Sequence, residues 1–329
     1  MAEETNREFP LLIRFRSMVS EEVKLKTLAY LEGPLEFLEE TEKIVSLMFP
    51  QFDFYSIRKV FADIKKLYSG KNPEYRRCNT GYHDLNHTMH CFVVMAKIMH
   101  GAFINGIIFT KKYVTLGLIS ALMHDTGYIQ SKEDRTGTGG KYTLSHIERS
   151  IEFMEKYFKA KSYSLSDFIF CRDCLRCTGI NVNIKEIQFE SHEHEIIGKI
   201  LGTADLIGQM ADKKYLEKLT FLYEEFREGG VPCFNSELDL IKATPDFWEL
   251  TKQRFVTEFG NVESYLRDHF KDSLGIDRDL LREVIERNMR YLKFIMEYHE
   301  ANYRRYLSPE GLEEIIIEIR KLEANRETR

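Results

Sequence analysis

The sequence predicts an all-α protein, folded as one compact multi-helix domain over residues 1–329. Three observations carry that expectation. Apolar residues recur at helical spacing in segment after segment, as in Ile57, Val60, Phe61, Ile64, Leu67 and Tyr68. No run of alternating apolar and polar residues reads as a strand. The length fits one large domain or two ordinary ones, and no repeat or shift in composition marks a linker between two. Hydrophobic residues make up 43% of the chain, enough for a sizeable core. The formal net charge of −5 gives no overall attraction to a nucleic-acid polymer or an anionic membrane.

Along the chain, residues 1–9 are polar and frayed, and the acidic opening MAEETNREFP does not suit a secretory leader. Ser20 with Glu21 and Glu22 marks a helix start, and Gly33-Pro34 ends that segment. Leu35, Leu38, Ile44, Leu47 and Met48 form a helix closed by Pro50, and residues 57–68 form the next. A loop at 70–81 delivers the chain to two central helices, about 84–100 and 111–125. Lys111 and Lys112 interrupt the best apolar run, so no stretch suits a bilayer. The glycine-rich segment 126–142 reads as a long loop, either a flexible lid or a solvated connection. Helices resume at 144–159, 166–178 and 194–228. Thr244-Pro245 places a cap before a proline at a first helical position, for a helix running to Phe259. A long helical pattern spans about 279–306, and Ser308-Pro309 starts a last charged helix. The catalytic core is expected at about 50–230, with peripheral helices at both ends.

The chemistry concentrates in residues 82–128. His83 and His87 are four apart, about 40° around a helix and one turn apart, so they face one pocket. His124 and Asp125 end an apolar helix, where the backbone relaxes before Gly127 and the two side chains can converge. Asp205 stands among Leu201, Ala204, Leu206 and Ile207. An acid so placed needs a partner, and a cation is one, because an unpaired buried charge is costly. Imidazole with carboxylate suits Zn, Fe, Mn or Mg.

The order His83-x3-His87, then His124-Asp125, then Asp205 resembles the HD-domain metal-dependent phosphohydrolases. It is most similar to the catalytic domain of class I cyclic nucleotide phosphodiesterases, over residues 82–230. Their Tyr-His-Asn-x-x-His corresponds to Tyr82-His83-Asp84-Leu85-Asn86-His87 here, and their late Asp string to Ala204-Asp205-Leu206-Ile207-Gly208-Gln209-Met210. The resemblance implies two divalent cations, Zn or Fe at a first site held by His87, His124, Asp125 and Asp205, and Mg or Mn at a second, water-rich site bridged by Asp125. It implies hydrolysis of a phosphodiester by a bridging hydroxide, with His83 as general acid. The runner-up readings are a hydrolase of non-cyclic nucleotides or phosphate monoesters, and a metal-binding regulatory domain without turnover. The expected partner is a small phosphate ester or nucleotide, not a nucleic-acid polymer.

The pattern departs from that family at Asp84, which replaces its Asn, at Tyr128, which stands near the place of a second-metal His, and at Glu228, which replaces its nucleotide-holding Gln. His146, Tyr128, Gln209 and Glu228 are the neighbours expected around the second metal or the substrate. His146 either faces that metal or caps a helix. His192 and His194 belong to a charged turn, and His90 and His100 pack or face solvent. Cys171, Cys174 and Cys177 form one helical stripe of buried thiols rather than a zinc or iron–sulfur set. The otherwise scattered cysteines suit a reduced, cytoplasmic compartment.

Overall fold

A computed structural model describes residues 31–317, with 32, 180, 181, 309, 312 and 316 excepted. The frayed start, the helix start at Ser20–Glu22 and most of the last charged helix lie outside the described residues. The all-α expectation holds. Among the described residues there is no strand, and a single isolated antiparallel bridge joins Tyr75 to Ser131.

The helices are α1 (Pro34–Met48), α2 (Tyr55–Tyr68), α3 (Leu85–Ile104), α4 (Lys111–Met123), α5 (His146–Ala160), α6 (Leu165–Arg176), α7 (His192–Met210), α8 (Tyr215–Glu228), α9 (Glu237–Thr257), α10 (Tyr265–Leu274), α11 (Leu280–Tyr298) and the short α12 (Tyr303–Tyr306). Most begin where the local chemistry demands. Pro34 opens α1, where its missing N–H costs nothing. Asp84, Thr110, Ser191 and Ser236 each accept a backbone N–H of their helix's first turn, and Ser164 with Asp167 forms a reciprocal cap on α6.

At the centre lies α3, buried on nearly every face from His87 to Ala102. It packs against α1, α4, α7 and α10. Gly208 of α7 sits where that helix crosses α3: a Cβ there would come within 2.9 Å of the Cys91 backbone N. A larger residue would push the two helices apart, and with them the residues they carry toward the centre.

Some boundaries differ from the sequence expectation. The single helix expected over 194–228 is two, α7 and α8, because the Asp212 carboxylate accepts the Lys214 N–H at 3.0 Å and turns the chain. Thr244-Pro245 does not start a helix. Ser236 caps α9, Pro245 lies inside it, and the Thr244 hydroxyl donates back to Leu240 O at 2.9 Å. The segment 265–274, left unassigned by periodicity, is α10, which buries Leu266, His269 and Phe270. The pattern at 279–306 breaks at Tyr298, leaving α12 separate.

Residues 126–142 are not a loose loop. They contain short 3-10 turns at Thr126–Tyr128 and Gly139–Tyr142. Asp134 gathers Lys141 Nζ at 2.6 Å, Gln130 Nε2 at 3.2 Å and the Tyr142 hydroxyl. Hydrogen bonds to the Lys141 ammonium and the Tyr142 hydroxyl hold the Asp134 carboxyl well below the usual carboxylate range. Among the described residues, no helix is long and apolar enough to cross a membrane.

Candidate metal centre

Four side chains from three places in the chain meet at one point. His87 comes from the first turn of α3, His124 and Asp125 from the end of α4, and Asp205 from the middle of α7. The α4 backbone stays helical through His124 and leaves at Asp125 (φ −108°, ψ 11°), so neighbours in sequence converge instead of pointing apart. All four residues are buried. His87 Nε2 lies 3.0 Å from Asp125 Oδ2 and 3.0 Å from Asp205 Oδ1. His124 Nε2 lies 3.2 Å from Asp125 Oδ2 and 3.3 Å from Asp205 Oδ1. The two Nε2 atoms are 3.2 Å apart.

These separations have a simple meaning. Atoms bound at about 2.0–2.2 Å to one tetrahedral or octahedral cation sit roughly 2.8–3.6 Å from one another. The protonation pattern agrees. His124 Nδ1–H donates to Ala121 O at 2.8 Å, which makes Nε2 the ring nitrogen that faces inward. Asp125 Oδ2 and Asp205 Oδ1, though close to the imidazoles, receive no aligned N–H and are buried oxygens without a hydrogen-bond partner. Buried polar atoms of native proteins are nearly always satisfied, so this cluster fits a cation in its middle.

The electrostatics point the same way. Burial opposes a charge on His87, but contacts with Asp125 and Asp205 override it and raise the imidazole to about 9. Burial also opposes a charge on His124, and the Asp125 carboxylate still lifts it well above its ordinary value. Burial would raise both carboxyls, yet the His124 charge drives Asp125 and Asp205 well below the usual range. Without a metal the centre holds protons where a cation would sit, and cation binding has to displace them.

Around this cluster stand the other expected residues. His146, first residue of α5, donates through Nδ1 to Thr143 O at 2.7 Å and turns Nε2 toward Asp125 Oδ1, 3.9 Å away. Gly127 permits that approach, since a Cβ there would sit 1.9 Å from His146 O. Tyr128 is buried and stacked face to face with His83 at 4.2 Å and His146 at 4.6 Å. It is a platform between the two imidazoles. Gln209 is spent on support: Oε1 accepts the Tyr82 hydroxyl at 2.5 Å, and Nε2 donates to Asp205 O at 3.1 Å.

Glu228 lies at the outer edge of these surroundings. It is exposed, and its carboxylate accepts the Thr138 backbone N–H and hydroxyl. Both oxygens are thus engaged in tying α8 to the 126–142 segment, at the rim of a cavity of about 420 Å³ that Asn79, Gly81, Phe221 and Glu225 also line. The residue of that string that reaches the centre is Glu225, one turn earlier and buried. Its carboxylate accepts Tyr82 N–H at 2.7 Å and His83 Nδ1–H at 2.6 Å, which leaves His83 Nε2 free to act. Sequence reasoning missed Glu225 because acids are common on helix surfaces, and only the long-range contact distinguishes it. It also missed Cys91, one turn beyond His87, whose Sγ joins ligand atoms of His124 and Asp205 in a group spanning at most 4.8 Å. Burial pushes the Cys91 thiol up.

The remaining singled-out groups lie elsewhere. His194 is buried and bonds Phe170 O at 3.1 Å, while His192 is exposed. Cys171, Cys174 and Cys177 are buried free thiols. Trp248, Phe255 and Phe259 are core.

The model of the Npun_R2479-like family matches residues 71–269, more than half of the chain. The chain belongs to the Npun_R2479-like family. That description names no reaction, but the matched span contains His83, His87, His124, Asp125, His146, Asp205 and Glu225 together. The Npun_R2479-like span also runs past residue 230, through α9 and into α10, beyond the core expected from sequence. No curated protein matches the chain.

Proposed function

We propose that this Npun_R2479-like chain is a metal-dependent phosphohydrolase of the HD type, cleaving a small phosphodiester with the help of two divalent cations. One observation carries the reading: two buried, orphaned carboxylate oxygens, on Asp125 and Asp205, each lie 3.0–3.3 Å from both the His87 and His124 Nε2 atoms. His87, His124, Asp125 and Asp205 would hold a first cation, Zn or Fe by their mixed nitrogen and oxygen character. Asp125 Oδ1 and His146 Nε2, 3.9 Å apart, offer the start of a second, water-rich site suited to Mg or Mn. Bound cations of this kind supply a nucleophile from water at neutral pH and offset the charge of a phosphoryl group.

The chain's own residues supply the rest. Glu225 fixes His83 by taking its Nδ1 proton, so that Nε2 can donate to a departing alkoxide. Tyr128 stacks on His83 and keeps the ring in that plane. Tyr82 presents its N–H to the same Glu225 and anchors its hydroxyl on Gln209, which in turn bonds the backbone of Asp205. The proton donor and a metal ligand thus share one supporting chain. This oriented donor favours turnover over a purely regulatory metal site, which has no use for it.

The test is to strip the purified protein with chelator and reload it with Zn, Fe, Mn or Mg. Hydrolysis of aryl phosphodiesters, phosphate monoesters, nucleotides and cyclic nucleotides is then assayed beside metal content. Metal-dependent cleavage of a phosphodiester supports the reading. Stoichiometric metal without turnover on any ester leaves the regulatory alternative. Activity confined to monoesters or non-cyclic nucleotides selects the runner-up enzyme.

A further inference from the structure

We infer that Cys91 is an additional ligand of the first cation, making this a mixed nitrogen, oxygen and sulfur centre. The inference rests on the metal reading above and adds to it a residue outside the His/Asp motif. Three observations support it. Cys91 follows His87 by four residues on α3, so the same face that carries one ligand carries the thiol one turn on. Its Sγ lies with ligand atoms of His124 and Asp205 in a group no wider than 4.8 Å. Ligands of one cation with bonds of about 2.0–2.3 Å lie at most roughly 4.6 Å apart, so small side-chain shifts bring the three atoms onto one ion. Asp205, the carboxylate in that group, has a buried oxygen, Oδ1, without a hydrogen-bond partner, so the thiol lies beside an unsatisfied acid.

Packing keeps the thiol in place. Cys91 is fully buried, and Gly208 of α7 lies against its backbone, so α3 and α7 meet there at close range. A thiol that reaches a cation gives up its proton to solvent and binds as thiolate. Thiolate is a soft ligand, so it biases the site toward Zn, Fe or Co and against Mg or Mn. His87, His124, Asp125 and Asp205 alone would not discriminate as strongly, since imidazole and carboxylate accept both classes.

Cobalt(II) provides a readout independent of catalysis, because a thiolate on Co(II) gives a charge-transfer absorption in the near ultraviolet that nitrogen and oxygen ligands do not. The chelator-stripped, full-length protein is titrated with Co(II), and with Zn in competition against excess Mg. The same is done for Cys91→Ser and Cys91→Ala, with circular dichroism to confirm that each is folded. The expected result is a stoichiometric near-ultraviolet band in the wild type. The band is lost in both variants, with cation affinity lowered by roughly 10–100-fold, comparable to the loss of a supporting contact at such sites. Co(II) bound without the band, or a band that persists in Cys91→Ala, overturns the assignment of Cys91 and leaves the His/Asp centre standing. No stoichiometric Co(II) or Zn binding by the wild type overturns the metal centre itself and this inference with it. If neither variant folds, Cys78→Ser and Cys233→Ser replace them. Their loss of the wild-type band would overturn the inference, and its retention supports it.

Discussion

Substitution of Glu225 by Gln isolates the positioning of the proposed proton donor from metal binding. The carboxylate receives two N–H donors, from the Tyr82 backbone at 2.7 Å and from His83 Nδ1 at 2.6 Å, and it is buried. An amide of the same size has one acceptor oxygen. If that oxygen keeps the Tyr82 N–H, the amide NH2 faces His83 Nδ1–H, and the ring must change tautomer or turn away from Tyr128. A hydrogen bond to a charged group contributes about 1.5–3 kcal/mol. With tenfold in rate for about 1.4 kcal/mol, kcat on an aryl phosphodiester should fall roughly 10–100-fold. Metal content should be unchanged, because the Glu225 carboxylate binds Tyr82 and His83 and neither is one of the four proposed ligands. Nitrogen NMR of the labelled His83 ring should show the altered tautomer, a signal that a merely structural role would not move. An unchanged ring with unchanged rate would refute the reasoning. So would loss of metal in parallel with rate, which would make Glu225 part of the ligand scaffold.

Four further outcomes are expected. His83→Ala should keep the metal and lose roughly 10²–10⁴-fold in turnover, whereas Asp125→Ala should lose metal as well; metal analysis beside kinetics separates the two. A cation supplied at about 100 times its Kd should add about 2.7 kcal/mol to stability and raise Tm by roughly 5 °C in calorimetry, and a chelator should remove that increment. Glu228→Gln should leave substrate choice unchanged, because both Glu228 oxygens are engaged by Thr138; a shift toward cyclic nucleotides would contradict that reasoning. His269, buried beside His100 at 3.0 Å with Lys97 near, is lowered to about 2, by burial first. The unfolded chain therefore takes up a proton below about pH 6.5 that the folded protein refuses, so stability is lost as pH falls, by about 1.4 kcal/mol per pH unit. His269→Gln should flatten that slope by about one proton in denaturant titrations from pH 6.5 to 5.

The meeting of His87, His124, Asp125 and Asp205 was legible in the sequence because each carried a local oddity: two histidines one turn apart, a His-Asp pair closing an apolar helix, an acid among Leu201, Ala204, Leu206 and Ile207. The helices bearing them were legible from their apolar stripes and from caps such as Asp84 and Thr110. What sequence did not reveal depends on contacts between distant segments. Glu225 becomes significant only when α8 lies beside residue 82, and Cys91 only when α7 crosses α3 at Gly208. The break at Asp212 was missed because a side chain binding its own backbone leaves the apolar periodicity around it intact. Glu228 was placed beside the substrate on a short string; one helix turn from it, Glu225 is buried, while Glu228 is exposed at the rim of the cavity they share.

The four proposed ligands come from segments up to 118 positions apart, from His87 to Asp205. A cation held by them is a reversible crosslink joining α3, α4 and α7. No two of those helices can complete it without the third, so the unfolded chain has little to offer the ion. The ion should then act late, after the central helices have packed, and slow unfolding far more than it speeds folding. Metal supply would set the lifetime of the folded protein as well as its chemistry, and a chelator would shorten that lifetime before any substrate is present.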